Sequence, residues 1–217
     1  MTVDPFREID AQTIRRYRER FHAFGEDHRT LGWGSREQQV YRFNQLMAST
    51  AFERRSVLDI GCGFADLLGH LTREGQQIAS YTGVDINPDF VDVARAKYPE
   101  AEFITGSPRD LDPETASRDV VVMLGLLNFR QSNLSNLDYA HAMIGQAFSL
   151  CREALVVDML SAYRTPDYPE EDFVYYYEPT EMLKLAFSLT PFVTLLHDYQ
   201  PIPQQEFLIV LRKLPCA

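Results

Sequence analysis

Cysteine, tryptophan, positive charge and long apolar runs are all scarce in this chain, and each scarcity excludes something. The 217 residues hold three cysteines and one tryptophan. Cys62, Cys151 and Cys216 are scattered, with no CxxC pair and no metal-ligand spacing. Neither a disulfide framework nor a metal site is expected, and the thiols suit a reducing cytoplasm. No apolar run approaches the ~18 residues of a membrane span. The opening stretch, MTVDPFREIDAQTIRRYRERF, has no apolar signal core. Lys and Arg number 21 against 31 Asp and Glu, a formal net charge of −10. A field of that sign repels phosphate backbones and anionic membranes, so neither nucleic acid nor a membrane is an expected partner. The expectation is a soluble, cytoplasmic protein, with a homodimer left open.

What is present is a 45% hydrophobic composition, enough for one core behind an N-terminal extension. Residues 9–24 carry Ile14, Tyr17, Phe21 and Phe24 on one helical face, and Gly25 ends that helix. After the loop GEDHRTLGWGS, Ser35 caps a helix predicted to run through Met47. Strand and helix then alternate. Strands are expected at 56–60, 79–86, 101–106, 119–127 and 153–160, and helices over 65–74, after Asn87-Pro88, and over 138–152. A helix opened by Pro179 follows, then PFVTLLHDY and QEFLIVLRK, close enough to form a hairpin. Alternation implies a parallel sheet. The reading is an α/β, Rossmann-like, doubly wound, mostly parallel seven-stranded sheet with a C-terminal antiparallel hairpin and an N-terminal helical lid. Residues 1–50 form the lid and 51–217 the main domain.

The most informative stretch is VLDIGCGFADLLGHL, residues 57–71. An apolar strand ends in a glycine turn and a helix begins, which lets a ligand approach bare backbone. About 25 residues on, YTGVDI ends a second strand in Asp85, an acid at the distance that suits ribose hydroxyls. The pattern is D-x-G-x-G-x-A, not the G-x-G-x-x-G of dinucleotide binders.

On these motifs the chain resembles the class I S-adenosylmethionine-dependent methyltransferases, over residues ~55–213 judged by element order. The resemblance implies S-adenosylmethionine as cofactor and a set of contacts. Asp59, Gly61, Cys62 and Gly63 would lie beside its methionine part, Asp85 would take the ribose hydroxyls, and Ile86 would pack on the adenine. Gly106 and Ser107 end the third strand, where the family often has an acid facing the adenine amine. Leu124 and Gly125 would lie next to the sulfonium. Ala65 stands where the usual first motif has its last glycine. LGW with QVYRF, LGLLN, and HDY followed by EFLIVLRK resemble a narrower branch acting on small molecules.

Candidate acceptor-side residues follow from position. Asn128 and Asp158 lie at the carboxyl ends of strands four and five, where such sheets open their crevice; each could equally serve a turn or cap. Trp33, Arg42 and Tyr17 belong to the lid and could meet substrate or simply pack. Tyr163 belongs to a long aromatic loop of the kind that often carries function. Asp158 and His197 are the candidate catalytic groups. Histidine is the side chain suited to proton transfer near neutral pH, but the strand before His197 is expected at the far edge of the sheet, out of substrate reach unless the following loop folds back. The implied activity is methyl transfer to an O, N or S atom of a small molecule. Other chemistry on the same fold, or a non-catalytic cofactor-binding module, are the rivals. Nucleic-acid methylation is opposed by the charge and by the lack of an Asn/Asp-Pro-Pro-aromatic motif after strand four.

Overall fold

A computed structural model describes residues 4–166, 168–200 and 204–215. Cys216 lies outside the described residues. The seven strands belong to one sheet of order β3-β2-β1-β4-β5-β7-β6, in which only β7 runs antiparallel. The chain divides into two compact units, Met1–Leu111 and Asp112–Ala217.

The first unit opens with α1 (Pro5–Phe24) and α2 (Arg36–Ser49). Helix α1 begins four residues earlier than its apolar pattern predicts, because Asp4 caps it and Pro5 suits a first turn. Ser35 caps α2 as expected, its hydroxyl accepting from the Gln38 N–H. Then come β1 (Ser56–Ile60), α3 (Asp66–Arg73), β2 (Ser80–Asp85), α4 (Pro88–Lys97) and β3 (Glu102–Thr105). All five residues of β1 are buried, as a parallel strand covered on both faces requires. Asn87 caps α4 and Pro88 opens it. Phe43 and Leu46 of α2 are buried, Leu46 completely, so the N-terminal helices share the unit's core.

The second unit holds a short helix α5 (Pro113–Ala116), β4 (Arg118–Met123), α6 (Asn136–Ser149), β5 (Cys151–Leu160), α7 (Pro179–Leu189), β6 (Val193–Leu196) and β7 (Glu206–Arg212). Two boundaries differ from expectation. Strand β4 stops at Met123, not Leu127, because Gly125 turns the chain at φ 67°. Helix α6 runs Asn136–Ser149, since Ser135 caps it early and Cys151 and Arg152 already belong to β5. The expected hairpin is present: β6 pairs antiparallel with β7, which pairs antiparallel with β5. Tyr177 is fully buried and donates to the Leu127 carbonyl at 3.0 Å, so one of the three consecutive tyrosines is a core residue.

Leu46→Ala tests whether α2 is integral to the first unit. It should lower unfolding free energy by ~2–5 kcal/mol, the usual cost of truncating a fully buried leucine, read by denaturant titration. A loss below ~0.5 kcal/mol, the range of surface substitutions, would show that α2 packs elsewhere.

Candidate active site

In the first unit, the turn after β1 is built by left-handed backbone. Gly61 and Gly63 have φ of 79° and 53°, and Ala65, ahead of α3, has φ 57°. That region costs an L-residue ~1–2 kcal/mol and glycine nothing. The Gly61 and Cys62 N–H groups donate to the Val84 carbonyl at 2.8 and 3.2 Å, so the turn is tied to the end of β2. The Gly63 N–H donates to Asp85 Oδ2 at 2.9 Å, and the Asn87 N–H donates to Oδ1 at 2.9 Å. Each Asp85 oxygen thus has one backbone donor and further lone pairs. Burial pushes this carboxyl up to about 6, against the pull of the two N–H groups.

Asp59 is buried and accepts from the Tyr81 hydroxyl at 2.5 Å. Burial pushes it up to about 7, with the Asp85 and Asp66 carboxylates adding to the rise. The bond joins β1 to β2 beneath the turn. Burial also holds the Cys62 thiol well above its ordinary value, so Cys62 is an unreactive packing group. Ile86 is half-buried beside Asp85. The Gly106 N–H donates to the Asp85 carbonyl at 2.9 Å. Ser107 is buried and its hydroxyl caps the turn Pro108–Asp110, while its own N–H donates to the Asp110 carboxylate. The end of β3 is therefore made by a capping box.

The N-terminal helices lie over this turn. Tyr17 and Phe21 meet Phe90 edge-on, both with centroids 5.8 Å apart, and Phe21 also meets Phe64 at 5.8 Å. Burial pushes the Tyr17 phenol up to about 12, with the Asp85 carboxylate adding to the rise. Leu31 packs on Gly63: a Cβ there would stand 2.8 Å from its Cδ2. The Arg42 guanidinium stacks on the Trp33 ring at 4.8 Å. Tyr17 thus packs on Phe90 of α4, whereas Trp33 and Arg42 engage one another.

In the second unit, Gly125 follows Leu124 in the turn after β4, and its N–H donates to Asp158 Oδ1 at 2.6 Å. Asp158 is buried on β5, so it holds that turn in place. Asn128 accepts from the Leu160 N–H at 3.2 Å through its side chain and from the Tyr175 N–H at 2.9 Å through its carbonyl. It ties the end of β4 to β5 and to the aromatic loop. His197 follows β6 at the sheet edge, as expected, yet its Nε2 lies 2.9 Å from Ser161 Oγ, just past β5. Tyr163, largely exposed, meets the His197 ring edge-on at 6.1 Å, and Phe207 flanks the imidazole at 6.0 Å. A hydrogen bond to Glu178 raises the Tyr163 phenol.

Sequence reasoning missed Ser161, Tyr81, Leu31 and Asp66. Ser161 and Tyr81 act through partners 36 and 22 residues away, and no local pattern signals such pairs. Leu31 is flagged only by neighbouring glycines. Among the described residues no group of His, Cys, Asp and Glu could hold a metal ion, and no helix is long and apolar enough to cross a membrane.

Residues 57–144 match the family model for a methyltransferase domain. No curated protein sequence matches the chain. Among solved structures, magnesium protoporphyrin IX methyltransferase (ChlM) from Synechocystis PCC 6803, with bound SAM, superposes with a TM-score of 0.64 at 18% identity, covering 98% of this chain and 99% of that one. The CcbJ methyltransferase from Streptomyces caelestis gives 0.57 at 16% identity, over 81% of this chain and 89% of that one. DesVI from Streptomyces venezuelae gives 0.57 at 14%, over 82% and 90%. Residues 57–144 thus match a methyltransferase domain, and the chain as a whole has the fold of these solved methyltransferases.

Proposed function

We propose that this protein transfers a methyl group from S-adenosylmethionine to an O, N or S atom of a small molecule. The observation that carries the reading is the left-handed Gly61–Gly63 turn hydrogen-bonded to the Asp85 carboxylate. That turn offers bare backbone, and the carboxylate keeps lone pairs for two hydroxyls, so the residues fit a nucleoside-bearing cofactor. The bound cofactor would supply an electrophilic methyl on a sulfonium, which leaves the protein chiefly alignment and proton removal to perform.

Asp85 would accept the ribose hydroxyls, with Ile86, Gly106 and Ser107 toward the adenine. Asp59, Gly61, Cys62 and Gly63 would frame the methionine part. As the resemblance implies, Leu124 and Gly125 would serve the cofactor, and Asn128, Tyr163, Tyr17, Trp33 and Arg42 are the proposed acceptor residues. Asp158 holds the Gly125 N–H and would act by position. His197 would take the acceptor's proton. Residues 1–50 would act as the lid and 51–217 as the catalytic domain. A cytoplasmic enzyme without a nucleic-acid partner fits the −10 charge, and a homodimer is compatible with it.

Calorimetry with S-adenosylhomocysteine tests the cofactor reading. Asp85→Ala should weaken binding by at least ~10-fold, since charge-assisted hydrogen bonds are worth ~1.5–3 kcal/mol each. Unchanged affinity would overturn the ribose assignment.

The same carboxylate gives a pH test. The ionised form accepts two hydroxyls; the protonated form loses part of that capacity. Affinity should therefore fall as pH drops through about 6, where Asp85 takes its proton, and Asp85→Asn should be flat across that range. The sign for stability is opposite. Asp59 and Asp85 bind protons in the folded state where the unfolded chain has released them. Their contribution to ligand-free stability is present below the ordinary value of 3.8 and is lost as pH rises through about 6 to about 7. Asp59→Asn should then raise the melting temperature more at pH 8 than at pH 5. An equal change at both values would refute the raised Asp59.

A further inference from the structure

The cover over the glycine turn is fastened by charge, and one buried carboxylate makes more of these bonds than any other group described. Asp66 is the first residue of α3, directly after the turn, and its side chain is 8% exposed. Its Oδ2 accepts from Gln39 Nε2 at 3.0 Å and lies 3.2 Å from Arg36 Nη1, both on α2. Its Oδ1 lies 3.4 Å from Lys97 Nζ at the end of α4. The same Lys97 holds Glu26, in the loop after α1, at 2.7 Å. Arg18 of α1 holds Asp89 of α4 at 2.9 Å, and Asp10 of α1 holds Arg109 at 2.7 Å. Apart from Asp66–Lys97, which joins α3 to α4, each of these bonds ties the N-terminal segment to α3, α4 or the end of β3.

The segment so fastened bears on the two groups that a cofactor would use. Leu31 sits on Gly63, and the Tyr17 phenol feels the charge of Asp85. The ring contacts of Tyr17 and Phe21 are apolar and insensitive to salt. The exposed ion pairs are singly weak. Asp66 differs, because removing a buried charge leaves its cationic partners without compensation. It also stands at a helix N-terminus, which favours an anion.

We propose that Asp66 is a positioning residue for the cofactor turn and the anchor of a charge-latched cover, so that cofactor exchange follows rupture of its bonds to α2 and α4. This rests on the cofactor reading above. Residues 17–42 must leave Gly63 and Asp85 for the cofactor to enter or depart, and the ion pairs set how often they do. Screening loosens the latch, and neutralising Asp66 removes its anchor.

The test uses the full chain with tritiated S-adenosylhomocysteine, its dissociation followed by rapid filtration against unlabelled excess. Raising NaCl from ~0.1 to ~1 M shortens the screening length from ~10 to ~3 Å. Wild-type dissociation should accelerate ~5-fold or more over that range. Asp66→Asn should dissociate fast already at low salt and respond little to more. Lys97→Gln, a less buried change, should behave likewise and covers the case of an unfolded Asp66→Asn. Lys184→Gln breaks the exposed Lys184–Glu181 pair within α7 and should alter neither rate nor salt response. Amide exchange of residues 17–42 without ligand supplies a readout independent of cofactor. It should quicken with salt and with Asp66→Asn. Wild-type protein that binds no S-adenosylhomocysteine would sink the cofactor reading while the exchange result still judges the latch. Variants that lose melting temperature yet keep wild-type dissociation, salt response and exchange would overturn the latch and leave Asp66 a stabilising residue only.

Discussion

The hydrogen bond from the Gly63 amide to the Asp85 carboxylate is the constraint on which the first unit turns. It joins the loop after β1 to the end of β2, two segments 22 residues apart. The bond requires Gly63 to present its N–H outward at φ 53°, and it requires Asp85 to stay partly buried with a backbone donor on each oxygen. A larger residue at 63 would meet both the φ cost and the Leu31 side chain. Below it, the Tyr81–Asp59 bond joins the same two strands inside the core. The glycine turn is therefore held from beneath by a buried acid and from the side by a half-buried one. Burial raises both above the ordinary carboxylate range. Such raised acids cluster where a protein has given up stability for function.

The parts of this arrangement that are local were legible in the amino-acid order. Glycines flanking Cys62, an acid closing β2, Asn87 before Pro88 and Ser35 before α2 each act within a few residues, so their chemistry reads directly. Strand β4 was overextended because LGLL is as apolar as a strand should be. What ends it is Gly125 turning left-handed, its N–H taken by Asp158 33 residues away. The tyrosine run 175–177 shows the same limit. Tyr177 is core, held by the Leu127 carbonyl, whereas Tyr175 is stacked on it edge-on at 4.7 Å and remains half-buried. Periodicity alone could not separate them. The Asp66 cluster was invisible because its members come from α2, α3 and α4 and share no spacing.

His197 shows how a side chain can reach past the neighbouring strand. Its strand lies at the sheet's edge, with β7 between β6 and β5, yet the residue after β6 hydrogen-bonds to the residue after β5. The geometry also divides the labour between the two catalytic candidates. Asp158 is buried and has committed one oxygen to the Gly125 N–H, so it shapes the turn after β4. His197 is half-exposed, with a large exposed tyrosine against its ring. Ser161 is fully buried and cannot meet a small molecule itself. Its oxygen accepts from the Tyr163 N–H at 3.1 Å. When the His197 Nε2 carries the ring proton it donates to Ser161, and Nδ1 is left as the acceptor. A neutral imidazole can take a proton from a hydroxyl or an ammonium, whereas a thiolate acceptor has no such need; under the proposed reading, His197 would serve an acceptor that carries its proton into the site.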